Sequence, residues 1–494
     1  MKRMGFFILI AAWAALCDLH AAELKLPAVF SDHMVLQCDV PVPVWGTASP
    51  GESVTVEFAH STGSGQAPSI SSGQGGQKKT AIADANGKWL VKLDPLKASA
   101  EPGELRILSA ISHQPFTIKD VLVGEVWLCG GQSNMERQLG PRPPQPLIRN
   151  WEQEVAAAKF PHIRHFGVAH RAAKEPLQDV PGSWVVCSPE TVKDFTAVGY
   201  FFGRELHREL KVPMGLLHSS WGGTGVATWT SKDALDKLPE VKDSLAAELN
   251  QPKVGPKTPT ILFQSMIAPL IPFAIKGAIW FQGESGPGLP VAYDKIFQLM
   301  ITDWRTHWGL GDFPFYFVQL PNGSPLTREA QARALQLPNT GMAVGIDVGD
   351  KDVHGPIKAP LGARLARLAL TQTYGRTGES SGPMFQSASV EGASIRVRFT
   401  HLGGGLVMSD GGPLKHFSIA GADQKFVPAE AKIEGDTVVA SCATVARPVS
   451  VRYAWINVAA GVNLFNKAGL PAAPFRTDAW PLIQAPGTTT KGKM

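Results

Sequence analysis

Residues 121–135 read Val-Leu-Val-Gly-Glu-Val-Trp-Leu-Cys-Gly-Gly-Gln-Ser-Asn-Met. Up to Cys129 the run is nearly all apolar, and then the chain turns abruptly small and polar. A strand buried on both faces reads this way, because helices cover it above and below; a one-faced antiparallel strand alternates instead. Four further runs of the same character occupy 212–220, 274–282, 313–320 and 342–349. Helical periodicity separates them over 201–210, 293–308 and 328–337, and Leu361, Leu365, Leu368 and Ala369 mark a last helix. Strand–helix alternation predicts an α/β fold between residues 119 and 382, with a doubly wound parallel five-stranded sheet.

On either side the pattern changes to short strands between turn signals. Residues 23–118 carry runs at 40–48, 53–59, 78–84, 88–94 and 104–111, punctuated by Ser49-Pro50-Gly51, Asn86-Gly87 and Glu101-Pro102-Gly103. They predict a β-rich, sandwich-like domain, with a long loop over the Ser/Gly/Gln-rich stretch 61–77. Runs at 394–399, 406–410, 437–443 and 449–456 predict a second sandwich-like β module over 383–483, followed by a disordered tail, 484–494. Between core and module, Gly378-Glu379-Ser380-Ser381-Gly382 matches the nucleophile-elbow pattern. That pattern functions only on a strand-to-helix turn, and here it follows a helical segment, so it reads as a linker.

The chain opens with Met1-Lys2-Arg3, an apolar stretch to Leu16 and the small pair Ala21-Ala22. This predicts a signal peptide over 1–22 and an exported protein, periplasmic or extracellular. No other apolar segment reaches membrane-spanning length, so no membrane insertion is expected. Cleavage removes Cys17 and leaves Cys38, Cys129, Cys187 and Cys442, too few for a disulfide framework. Cys129 and Cys187 end apolar runs, where a thiol acts as a small hydrophobe. Lys and Arg number 47 against 42 Asp and Glu, a net charge of +5 with no basic run, which excludes a nucleic-acid partner. Hydrophobic residues at 44% and charged residues at 18% exclude a disordered chain.

In an open α/β sheet, ligands bind beyond the carboxyl ends of the strands. Following the five runs in turn, those ends carry Gly130-Gly131-Gln132-Ser133-Asn134-Met135, Trp221-Gly222-Gly223-Thr224, Gln282-Gly283-Glu284-Ser285, Pro321-Asn322-Gly323 and Asp350-Lys351-Asp352-Val353-His354. A serine, glycine turns, an amide side chain and a histidine thus gather on one edge, the parts needed for nucleophilic acyl transfer. A hydroxyl needs a base within hydrogen-bond reach, and a developing oxyanion needs prepositioned N–H donors. His162 and His165 stand three apart, but no metal-ligand motif accompanies them. Phosphate-loop patterns are absent too, and no metal or cofactor is expected.

Four segments in this order, GEVWLCGGQSNM (124–135), HSSWGGTGVATW (218–229), IWFQGESG (279–286) and DVGDKDVHGPIKAPLGARLARLAL (347–370), resemble the sialate O-acetylesterase family. The family falls in the SGNH-hydrolase group of carbohydrate esterases, which implies a flavodoxin-like core. The resemblance implies Ser133 as nucleophile, His354 as general base, and an oxyanion hole from the N–H groups of Ser133 and Gly222 with the Gln282 amide. It casts Glu284 as a loop anchor, supported by Asn134 and Gly223. Two positions depart from the family pattern: Gly286 stands where Asn is common, and Lys351 where an Asp would orient the histidine. Asp352 is the first alternative for that orienting role, then Asp350, then a backbone carbonyl. The implied reaction is removal of O-acetyl groups from a saccharide, foremost 9-O-acetylated sialic acid, through an acetyl-serine. Acetylated xylan or another polysaccharide is the alternative substrate, and a non-catalytic carbohydrate-binding protein the alternative class. Arg137 is a candidate partner for a sialate carboxylate, set against its reading as an ordinary surface residue.

Overall fold

The computed structural model describes residues 24–60, 76–111, 115–289 and 291–480. The leader, most of the 61–77 loop and the tail assigned above lie outside these. The opening stretch is part of one long strand, Phe116–Gly131, buried without interruption from Val121 onward. Its side chains alternate between two cores. Val126 and Leu128 join a cluster with Trp280, Phe297 and Trp304, while Trp127 and Cys129 join one with Phe201, Phe202, Leu361 and Leu365. Neighbouring strands divide likewise, Phe315 and Phe317 to the first cluster, Tyr316 and Val318 to the second. Successive residues of a strand face opposite ways, so helices on both faces account for the continuously apolar runs.

The sheet runs Thr340–Val344, Phe315–Gln319, Gly277–Phe281, Phe116–Gly131, Met214–Ser220, Phe160–Gly167, Trp184–Cys187. All pair in parallel except the last, which is antiparallel. The expected five-stranded parallel sheet is therefore corrected to six parallel strands and an antiparallel edge. Phe160–Gly167 escaped the apolar criterion because its buried stretch includes Arg164 and His165. Arg164 is neutralised by Asp120 at 2.7 Å, and His165 stacks on Phe195 with centroids 4.4 Å apart. Burying such groups is tolerable only with partners of this kind.

The helix Ala197–Leu210 starts at Thr196, whose hydroxyl accepts the Gly199 N–H, and Tyr293–Trp308 stops at Gly309 in the left-handed region. Pro325–Arg333 and Ala359–Leu368 complete the long helices of the core. From the central strand the chain passes first to the Phe160–Gly167 side and later to the Gly277–Phe281 side. Crossovers thus diverge around Phe116–Gly131, and its carboxyl end is the point at which an α/β sheet opens a crevice.

The same strand belongs to the N-terminal β region. Between Phe116 and Val123 it pairs antiparallel with Ser99–Ser109, which pairs in turn with Ser53–His60. Val42–Thr47 and Lys88–Leu93 form a separate antiparallel pair. C-terminal to the core lie two antiparallel four-stranded sheets, one built on Ser394–Thr400 and Thr437–Ser441, the other on Phe417–Ala420 and Ser450–Tyr453. Arg476 ties this region to the core through a paired contact with Glu329 at 3.0 and 3.1 Å. The four described cysteines are all free, and Cys38, Cys129 and Cys187 are buried.

Candidate active site

Two glycines bring the central strand to its turn. A Cβ on Gly131 would meet the Phe281 carbonyl oxygen at 2.1 Å, and its φ is +144°, so only glycine fits. Gln132 follows, donating its N–H to that carbonyl at 3.0 Å, and Ser133 opens the short helix Ser133–Glu136. Neither the Ser133 Oγ nor its N–H is hydrogen-bonded to a described residue. The side chains flanking it are heavily committed. Gln132 Oε1 accepts the N–H groups of Gly283 and Ser285 at 3.4 and 3.1 Å, and its Nε2 bonds to no described residue. Asn134 Nδ2 donates to Glu284 Oε1 at 2.5 Å and to the Val353 carbonyl at 3.0 Å. Its Oδ1 accepts from Lys358 Nζ at 2.5 Å. The residue after the serine is thereby tied to the residue before His354.

The histidine loop is shaped by Asn322. Its Nδ2 donates to the carbonyls of Asp350 and Asp352 at 2.6 and 3.1 Å, and its Oδ1 accepts the Asp350 N–H at 3.1 Å. Asp352 Oδ1 accepts the His354 backbone N–H at 2.7 Å and stands 3.6 Å from His354 Nδ1. That separation is an ion-pair distance, too long for a hydrogen bond. The Asp350 carboxylate instead accepts the Asp352 N–H at 3.1 Å, and among the described residues no backbone carbonyl bonds the imidazole. Burial holds His354 below its ordinary pKa, with Asp352 opposing that shift. The ring is thus neutral at pH 7 and able to accept a proton.

Beneath the turn, Lys358 is buried, which pushes its ammonium down to about 8, with Glu284 opposing. Burial in turn raises Glu284, whose Oε2 has no hydrogen-bond partner among the described residues. Gly222 lies against the nucleophile, since a Cβ on it would stand 3.2 Å from Ser133 Cβ. Its N–H, however, donates to Glu136 Oε2 at 2.6 Å. Gly223 turns at φ +75°, with Lys257 Cε 3.9 Å from where a Cβ would stand.

Gln282 requires a correction. It is fully buried, and its Nε2 donates to the carbonyls of Thr224 and Gly286 at 3.1 and 3.2 Å. Its Oε1 accepts from Tyr293 OH at 2.8 Å. Both amide hydrogens are used in clamping the second and third strand-end loops together, leaving none for an oxyanion. Gln282→Ala is accordingly expected to act on stability, at about 2–3 kcal/mol for the stranded buried groups. At a temperature well below unfolding, turnover should fall less than the roughly 10²–10³-fold that losing an oxyanion donor costs. Thermal melts alongside acetate-release rates check this. Arg137 is corrected as well: it is neither exposed nor open to substrate. It is fully buried, and its guanidinium donates to the carbonyls of Gln138, Gly140 and Pro146 at 2.7, 2.9 and 2.8 Å.

A family model for "Carbohydrate esterase, sialic acid-specific acetylesterase" matches residues 123–371, about half of the chain. The chain belongs to that family. It is a carboxylic ester hydrolase. This esterase is 30% identical over 391 residues to the sialate O-acetylesterase of Homo sapiens, covering 71% of each chain. It is 29% identical over 418 residues to that of Mus musculus, covering 71% of this chain and 74% of the other. Among solved structures, a carbohydrate acetylesterase from Xanthomonas citri superposes with a TM-score of 0.80 at 38% identity, covering 93% of this chain and 100% of that one.

Four residues of the esterase's site had no role assigned from sequence: Gln132, Glu136, Asn322 and Lys358. The signal for Asn322 was its place at a strand end, and for Lys358 its place just before the helix Ala359–Leu368. Gln132 and Glu136 flank the serine so closely that only coordinates show where their side chains turn.

Proposed function

We propose that this chain removes acetyl groups from sugar hydroxyls by way of an acetyl-Ser133 intermediate. The observation that supports the reading most is Asn134, bonded on one side to Glu284 and on the other to Val353. It sets the Ser133 turn and the His354 loop against each other at the crevice of the sheet. In the first half-reaction Ser133 Oγ attacks the acetyl carbonyl carbon while His354 takes the hydroxyl proton. The bond between the acyl carbon and the sugar oxygen then breaks, and His354 returns that proton to the departing sugar oxygen. Water, deprotonated by the same imidazole, attacks the acetyl-serine and releases acetate with the serine restored. The Ser133 N–H and Gln132 Nε2, neither bonded to a described residue, are donors beside the nucleophile for the oxyanion, and Gly222 is a third once its N–H is released. The core is read as an SGNH-type sheet between sandwich-like modules, and the basic, then apolar N-terminus as an export signal.

For substrate, the family description and the curated relatives favour O-acetylated sialic acid, and within that reading we take the 9-O ester first. The extended likeness to a carbohydrate acetylesterase, a description that names no particular sugar, leaves a second reading open, acetylated xylan or a similar polysaccharide. Acetate release from 9-O-acetylated sialic acid and from acetylated xylan separates them. The first reading expects kcat/KM at least about tenfold higher on the sialate, roughly 1.4 kcal/mol of discrimination. A faster reaction on xylan would replace it with the second. Release from neither substrate, with no labelling of Ser133 by an organophosphonate, would leave a carbohydrate-binding protein.

A further inference from the structure

Glu136 ends the short helix that Ser133 begins. Its two oxygens face different ways: Oε2 accepts the Gly222 N–H at 2.6 Å, and Oε1 accepts from Arg142 at 2.5 Å. His170 Nε2 stands 3.8 Å from Oε1. That imidazole is fixed by its contact with the Ser220 carbonyl at 3.1 Å and by stacking on Trp221, centroids 4.1 Å apart. A Cβ on Gly222 would lie 3.0 Å from Glu136 Oε2 and 3.2 Å from Ser133 Cβ, so carboxylate, donor and nucleophile share one small volume. A single N–H at this distance serves one acceptor. An acetyl oxygen gaining negative charge cannot use it while the carboxylate holds it, and two like charges that close oppose each other.

We propose that Glu136 is a positioning residue that withholds the Gly222 N–H in the empty enzyme and yields it to the reacting acetyl oxygen. The inference rests on the esterase reading, with Gly222 as an oxyanion donor. Arg142 is the group that makes the exchange feasible: it keeps hold of Oε1 while Oε2 leaves, and His170 stands on the same side. Occupancy of the hole by the enzyme's own carboxylate then competes with acylation, so the reactivity of Ser133 is set partly by how tightly that carboxylate binds.

Two measurements test this: the rate of Ser133 phosphonylation by a p-nitrophenyl alkylphosphonate, and kcat/KM for p-nitrophenyl acetate. In Glu136→Gln the side chain keeps its size and can still accept the N–H, but without charge assistance it holds less firmly. Both rates are expected to rise, by about three- to tenfold. Arg142→Gln should lower both, because the carboxylate is left with Gly222 as its main partner, and this effect should vanish when the two substitutions are combined. A structural anchor would behave oppositely: Glu136→Gln would slow both reactions, and Arg142→Gln would act alike in either background. Either result overturns the proposal. A crystal structure of the phosphonylated wild-type enzyme gives a reading free of folding effects. A phosphonyl oxygen should occupy the Gly222 N–H with Glu136 Oε2 withdrawn, and a retained Glu136–Gly222 hydrogen bond in the adduct overturns the proposal. Wild-type enzyme unlabelled at Ser133 would overturn the esterase reading, and this inference with it; labelling at rates indifferent to residue 136 defeats the inference alone.

Discussion

Ser133→Ala is expected to lower acetate release from an acetylated sugar by about four to six orders of magnitude, the loss typical when a nucleophile is deleted from a hydrogen-bonded catalytic unit. Stability should scarcely change, within about 0.5 kcal/mol. The reason lies in what the hydroxyl does in the resting enzyme: Oγ makes no hydrogen bond to a described residue, and Gln132, not Ser133, occupies the helix N-cap. Removing one half-buried oxygen leaves the Asn134 and Gln132 networks whole. Matched melting curves with activity above about a hundredth of wild type would show that another group attacks the ester.

His354→Ala should cost a similar factor, because without a base the serine stays a neutral, weak nucleophile. The histidine also sets the pH profile. Its conjugate acid is held below the ordinary value near 6.5, chiefly by burial. The imidazole is therefore neutral, and active, above that depressed pKa, and kcat/KM should decline only as pH falls through a point below 6.5. Asp352 opposes the shift, so Asp352→Asn should move the acid limb further down in pH. Its carboxylate is 44% exposed and 3.6 Å from Nδ1, and water screens such a pair. The rate should consequently drop by only about ten- to a hundredfold, far short of the roughly 10⁴-fold known for a buried, hydrogen-bonded aspartate. An acid limb that stays put in Asp352→Asn would remove Asp352 from this role, and one above pH 6.5 in wild type would overturn the burial-depressed imidazole. Rates measured between pH 4 and 9 on one acetyl ester decide it.

The layering of the core was legible because burial on both faces leaves a mark in the chain itself: residues 121–129 are nearly all apolar, and the structure assigns alternate ones to separate cores. The helix read over 293–308 is Tyr293–Trp308, a segment whose apolar stripe and terminal glycine are both local features. What escaped depends on partners remote in sequence. Phe160–Gly167 is an interior strand without a continuous apolar run, because Arg164 has its counter-charge in Asp120, 44 residues earlier. Gln282 looked free to serve a substrate, yet its donors go to Thr224 and Gly286, backbone acceptors that no motif displays. Arg137 stands beside the nucleophile helix and still faces three carbonyls. The order of strand-end segments located the crevice, whereas the division of labour within it is set by hydrogen bonds between loops.

The strand Phe116–Gly131 has a consequence for how this enzyme can vary. At about 3.3 Å per residue it is a rafter some 50 Å long, carrying the outer sheet on one half and the catalytic sheet on the other. One residue inserted between Val121 and Val126 would exchange the faces of Trp127 and Leu128 and turn every later side chain of the strand over. The loops on either side can lengthen at small entropic cost, but this span is a fixed ruler, because one continuous strand sets the register of both sheets.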